Sequence, residues 1–130
     1  MRLLRIVFGV IVGYAAMAVL ITLVQETWLG GVGYYESSLV ELGVAGFFTF
    51  LSAAVGAAVG TAIAGVRTRA VAATMSVLVV IETTVLTLSG SLSDPLWFDM
   101  VASASLIVGI LLGGELVRRR PGHTAVAPAA

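Results

Sequence analysis

The chain has 130 residues, 59% of them hydrophobic and 11% charged, with a mean hydropathy of +1.10 and a formal net charge of zero. A composition this apolar excludes a soluble domain of this size, and the lack of excess positive charge removes the electrostatic basis for nucleic-acid binding. With no cysteine, and a single histidine at His123, the chain lacks the thiolate and axial-histidine ligands of disulfides, iron–sulfur centres and membrane haem, so no cofactor or metal site is expected.

The first apolar run covers residues 3–24, about 22 residues and long enough for a ~30 Å hydrocarbon core. Its length points to a retained first helix acting as a signal anchor, not to a cleaved leader. A polar loop over residues 25–41 follows. It mixes turn residues (Gly30, Gly31, Gly33) with aromatics that settle at headgroup level (Trp28, Tyr34, Tyr35) and carries Glu26, Glu36 and Glu41. A second helix is predicted over 42–66, ending at Arg67-Thr68-Arg69, and a third over 70–89. The loop Gly90-Ser91-Leu92-Ser93-Asp94-Pro95 leads to a fourth helix over 96–117, with Asp94 placed as its N-cap and Trp97 at the interface. Residues 1–120 thus read as one membrane domain, and residues 121–130 as a disordered, Pro/Ala-rich tail.

Charge sorts this chain by side. All seven basic residues are arginines in three clusters: Arg2 and Arg5, Arg67 and Arg69, and Arg118 to Arg120. Six of the seven acids lie elsewhere, the exception being Glu115, placed to pair with Arg118 or Arg119. Because basic flanks stay on the cytoplasmic side, the clusters imply an all-α integral membrane protein of four transmembrane helices. These form two hairpins with both termini cytoplasmic, in a cell membrane such as the bacterial inner membrane. The halves carry a faint mutual echo, Met17-Ala18-Val19-Leu20 before Gln25-Glu26-Thr27 and Met75-Ser76-Val77-Leu78 before Ile81-Glu82-Thr83.

Small residues recur at four-residue spacing on three helices: Gly9 and Gly13; Ser52, Gly56, Gly60 and Ala64; Ser105, Gly109 and Gly113. In lipid, where helices gain nothing from hydrophobic association, such stripes let backbones approach closely. They serve either an interface with a partner chain or the inside of a single bundle. On helix 3, Val77, Leu78, Ile81, Val85 and Leu88 form an aliphatic side for lipid, opposite Ala72, Ser76, Thr83 and Thr87. Glu82 falls on the flank of that inward side and is expected to be shielded from lipid.

Glu82 is the one acid well inside a span, and a carboxyl at that depth must be protonated, paired or wet, which makes it a candidate ion or proton site. No arginine of the chain is expected on its side of the membrane. The other acids, Glu26, Glu36, Glu41, Asp94 and Asp99, are placed at or beyond the outer boundary, either as an acidic funnel above Glu82 or as ordinary loop and helix-start acids.

The segment from Gly56 to Gly65, followed by a basic loop and a helix bearing Glu82, loosely resembles the rotor-ring subunit of rotary ATP synthases. The Arg-Gln-Pro loop of that family is absent and the hairpin is too short, so no family is assigned. The complete arginine bias also excludes dual-topology assembly of the kind used by small multidrug exporters and fluoride channels. No Ser/His/Asp or Cys/His set is present, so an enzyme is not expected. The function expected from the sequence is a structural or accessory subunit that packs through its stripes onto other membrane subunits or onto itself. The alternative is a small ion channel or proton-coupled transporter using Glu82.

Overall fold

A computed structural model describes residues 1–65 and 69–120. The described chain is helical: α1 (Arg2–Thr22) runs on as a π-helical segment (Leu23–Trp28), followed by α2 (Leu39–Ala64), α3 (Ala70–Leu88) and α4 (Leu96–Arg119). All four helices are long and apolar enough to cross a membrane, as expected of a multi-pass membrane protein. Arg67, Thr68 and the tail over residues 121–130 lie outside the described residues.

Beyond shifts of one or two residues, such as α4 ending at Arg119, the helix ends depart from the sequence expectation for local reasons. The first helix does not stop at Val24 but continues to Trp28. There Leu29 N–H donates to the Val24 carbonyl at 3.0 Å, a five-residue reach that widens the last turn. Helix α2 begins three residues early because Ser38 and Glu41 form a reciprocal capping box: Ser38 Oγ accepts from Glu41 N–H at 3.2 Å and Glu41 Oε2 accepts from Ser38 N–H at 2.7 Å. Asp94 is not the cap of α4. That place is taken by Pro95, and Asp94 Oδ1 instead accepts from Tyr34 N–H at 3.2 Å. This bond ties the two loops together, aided by the Tyr34 ring packed edge-on against Trp97 at 5.5 Å.

Helix α2 is the pillar of the bundle. Every buried residue it has is Ala, Gly, Ser or Thr, so neighbouring helices can press against its backbone. On one side the pairs Gly9 with Gly60 and Gly13 with Gly56 put each glycine where a Cβ would collide with the opposing carbonyl; on Gly56 it would sit 2.6 Å from Gly13 O. On another side, Gly109 of α4 meets the Phe50 carbonyl and Gly113 meets that of Ala54. Helix α3 contributes the larger filling, with Met75 and Val71 wholly buried, against Ile110 of α4. Gly114 lets α4 meet Ala72 of α3. Among the described residues, α1 and α4 do not pack on each other. Many outward positions are aliphatic, including Val77, Ile81 and Val85 on the side of α3 expected to face lipid.

Two glycines of α2 separate packing from propensity. Gly56→Ala is expected to destabilise the fold by roughly 1–3 kcal/mol through overpacking. Gly43 has open space around its Cβ position, so Gly43→Ala should be neutral or add up to about 1 kcal/mol. Reversible unfolding in detergent, followed by circular dichroism, measures both.

Candidate functional site

The gap between α1 and α4 is a cavity of about 440 Å³, closed on a third side by α3. Apolar side chains such as Met17, Ile21, Val79 and Leu106 form much of the wall, yet its polar groups are concentrated: Tyr14, Gln25, Thr49, Glu82, Asp99 and Ser103. This deep cavity is where the structure brings Glu82.

Tyr14 and Glu82 each lie about 18 Å along their helices from the ends that carry Arg2 and Arg69, at 1.5 Å per residue. That matched depth lets Tyr14 Oη donate a short hydrogen bond to Glu82 Oε2. The expectation that Glu82 is shielded is corrected: it is exposed on the isolated chain, beside the α1–α3 seam that its bond to Tyr14 spans. The carboxyl therefore both lines the cavity and reaches the outer surface of the isolated chain.

Helix α4 brings a second carboxyl to this cavity. Asp99, in the first turn, has a buried Oδ2 with no hydrogen-bond partner. Its backbone carbonyl accepts from Ser103 Oγ at 2.9 Å, and Ser103 Oγ lies 2.8 Å from Thr83 Oγ1, joining α4 to α3. Of the acids read as a funnel, only Asp99 joins Glu82 in the deep cavity; Glu41 belongs to its capping box and Asp94 to the loop bridge.

A second cavity, of about 290 Å³, lies toward the loops and is lined among others by Val32, Leu42, Asp94, Phe98 and Ser105. It shares Gln25, Thr49 and Ala102 with the deep cavity. Between the two, Gln25 Nε2 donates to Thr49 Oγ1 at 2.9 Å. Gln25 reaches α2 from the π-helical turn, and Trp28 of the same turn packs edge-on against Phe48 at 5.0 Å.

The small-residue stripes sit elsewhere. Gly9 and Gly13 face Gly56, Gly60 and Ala64; Gly109 and Gly113 face α2; Ser52 is buried and donates to the Phe48 carbonyl at 2.7 Å; Ser105 lines the loop cavity. At the opposite end of the bundle, Glu115 takes Arg118 Nε at 2.8 Å, Arg119 Nε at 2.7 Å and Arg69 Nε at 3.5 Å. Among the described residues, none of those lining the deep cavity is basic.

Tyr14, Gln25, Thr49 and Ser103 were not singled out from the sequence. Tyr14 had a readable signal, a phenol in mid-span at the depth of Glu82. The others depend on the π turn and on helix placement. Tyr14→Phe, which removes only the hydroxyl, should cost about 0.6 and at most about 1.7 kcal/mol of stability, the range of hydrogen bonds between membrane helices. The same loss should vanish in a Glu82→Leu background, which removes the acceptor, so that a Glu82→Leu, Tyr14→Phe double-mutant cycle isolates the pair. No protein-family model, curated protein or solved structure matches this chain.

Proposed function

We propose that this chain is a small proton-coupled transporter or ion channel whose working group is the Glu82 carboxyl. The observation that carries this reading is a mid-span carboxyl in a cavity that gathers several polar side chains, held by a phenol and, among the described residues, not by a cation. An intramembrane carboxyl with a fixed arginine partner is locked as an ion pair; one whose only partner is a tyrosine hydroxyl can exchange a proton or a cation. Tyr14 orients the carboxyl by donating to one oxygen and leaves the other for the cavity. The proposal includes the two-hairpin topology with both termini cytoplasmic, supported by the arginines gathered at one end around Glu115, and a bacterial inner membrane as its site.

A second reading, the structural or accessory subunit, is favoured by one observation: Glu82 is exposed at the α1–α3 seam of the single chain, where a neighbouring subunit could cover it. The glycine stripes are engaged inside the bundle, so such docking would use this seam and the aliphatic surface around it.

Reconstituted into liposomes with an imposed proton gradient, the wild-type chain should carry a Glu82-dependent flux that Glu82→Gln abolishes. Tyr14→Phe should retain a reduced flux. Equal flux from wild type and Glu82→Gln would remove the transport reading. Migration with other polypeptides in mild detergent would then favour the accessory subunit.

A further inference from the structure

We propose that the two cavities are successive compartments of one cation-selective access route to Glu82, and that the Gln25–Thr49 hydrogen bond is the closed gate between them. This inference rests on the reading of Glu82 as an ion site and adds its route, its selectivity and the residue that controls it.

The geometry supplies the route. Within a bilayer the exposed flank of Glu82 at mid-span faces acyl chains, and toward the arginine end the bundle is filled by Met75 and Val71, so a water-soluble ion comes from the loop end. The loop cavity lies on that side and adjoins the deep cavity at Gln25, Thr49 and Ala102. At this boundary the 2.9 Å bond from Gln25 Nε2 to Thr49 Oγ1 spans from the π turn of α1 to a buried position on α2. It is a neutral bond between a long, rotatable side chain and a fixed hydroxyl, which a rotamer change of Gln25 alone breaks. The π turn is suited to this role, because it adds a residue to the turn and leaves its backbone less regularly bonded than an α-helix.

The charges supply the selectivity. Asp94 lines the loop cavity, Asp99 and Glu82 line the deep one, and neither lining holds a basic residue. All described arginines are in the first turn of α1 or at the ends where α3 starts and α4 finishes. A narrow route walled by low-dielectric helices and carrying one sign of charge concentrates cations and repels anions. Asp99 Oδ2, buried without a hydrogen bond, is placed to receive a cation that has passed Gln25. Gln25 Oε1 and Thr49 Oγ1 supply neutral oxygens at the boundary.

The chain contains no cysteine, so single thiols report access without background. Ser105→Cys reports the loop cavity and Ser103→Cys the deep one. In liposomes, each is exposed from the loop side to a cationic trimethylammonium-ethyl methanethiosulfonate and to its anionic sulfonatoethyl counterpart. Ser105→Cys should react readily, and, with each rate divided by that reagent's rate on a free thiol in solution, faster with the cation by on the order of tenfold. Ser103→Cys should react slowly, then on the order of fivefold faster when Gln25→Ala is added, the population change expected for loss of one hydrogen bond. Thr49→Val, which keeps the volume and removes the acceptor, should reproduce that acceleration and serves if Gln25→Ala does not fold. Labelling of Ser103→Cys as fast as Ser105→Cys in the otherwise native chain, no change on breaking the bond, or equal rates for both reagents would each overturn the proposal. The measurement needs no transport. Gated, cation-selective labelling without Glu82-dependent flux leaves the route standing and removes transport, whereas Glu82-dependent flux with ungated labelling removes the gate alone.

Discussion

The whole bundle depends on the slenderness of α2. With no buried side chain larger than threonine, α2 lets α1 and α4 approach to backbone contact on two of its sides. In a bilayer this close approach is the main source of helix association, since lipid tails are as apolar as leucine. Two helices drawn tightly to a common pillar are not thereby drawn to each other. The space left between α1 and α4 is closed by α3, which fills its lower part with Met75 and Val71. Higher up the filling stops, and the deep cavity begins at the level of Tyr14 and Glu82.

Polar side chains then appear where the packing leaves room for them. Glu82, Tyr14, Asp99 and Ser103 come from three helices and meet in one cavity. The Tyr14–Glu82 bond connects α1 to α3, and the contact of Ser103 with Thr83 connects α4 to α3. The same groups that hold the open half of the bundle together thus supply a mid-span carboxyl and its partner. The arginines are held at the other end, three of them around Glu115. Physical separation of the two charge types leaves the cavity with acids alone, and the proposed cation preference follows from this separation.

Much of this was legible in the sequence, because apolar runs of membrane-spanning length leave little freedom in lipid. The four helices, the exposed aliphatic side of α3 and the depth of Glu82 follow from run length and helical periodicity. The stripes were equally legible, though not the neighbours they meet: Gly9 pairing with Gly60 is a fact of tertiary placement. Ser38-Leu39-Val40-Glu41 spells a capping box, but the surrounding aromatics and acids drew the reading toward a loop. The π turn had no such signature. Gln25 and Glu26 were read as the exit from the membrane because they are polar, whereas the helix continues and turns Gln25 toward Thr49. Asp94 looked like a helix cap from its place before Pro95, yet a contact sixty residues away in sequence, with Tyr34, claims it.

Infrared spectroscopy of the carboxyl stretches, recorded as difference spectra between the reconstituted wild-type protein and its variants, tests most directly whether the Glu82 carboxyl is held by Tyr14. The expected result is a carboxyl band that Glu82→Gln removes and that moves in frequency in Tyr14→Phe, where the phenol hydrogen bond is lost. A spectrum in which no carboxyl band is removed by Glu82→Gln, or in which the Glu82 band is unmoved by Tyr14→Phe, would contradict the account.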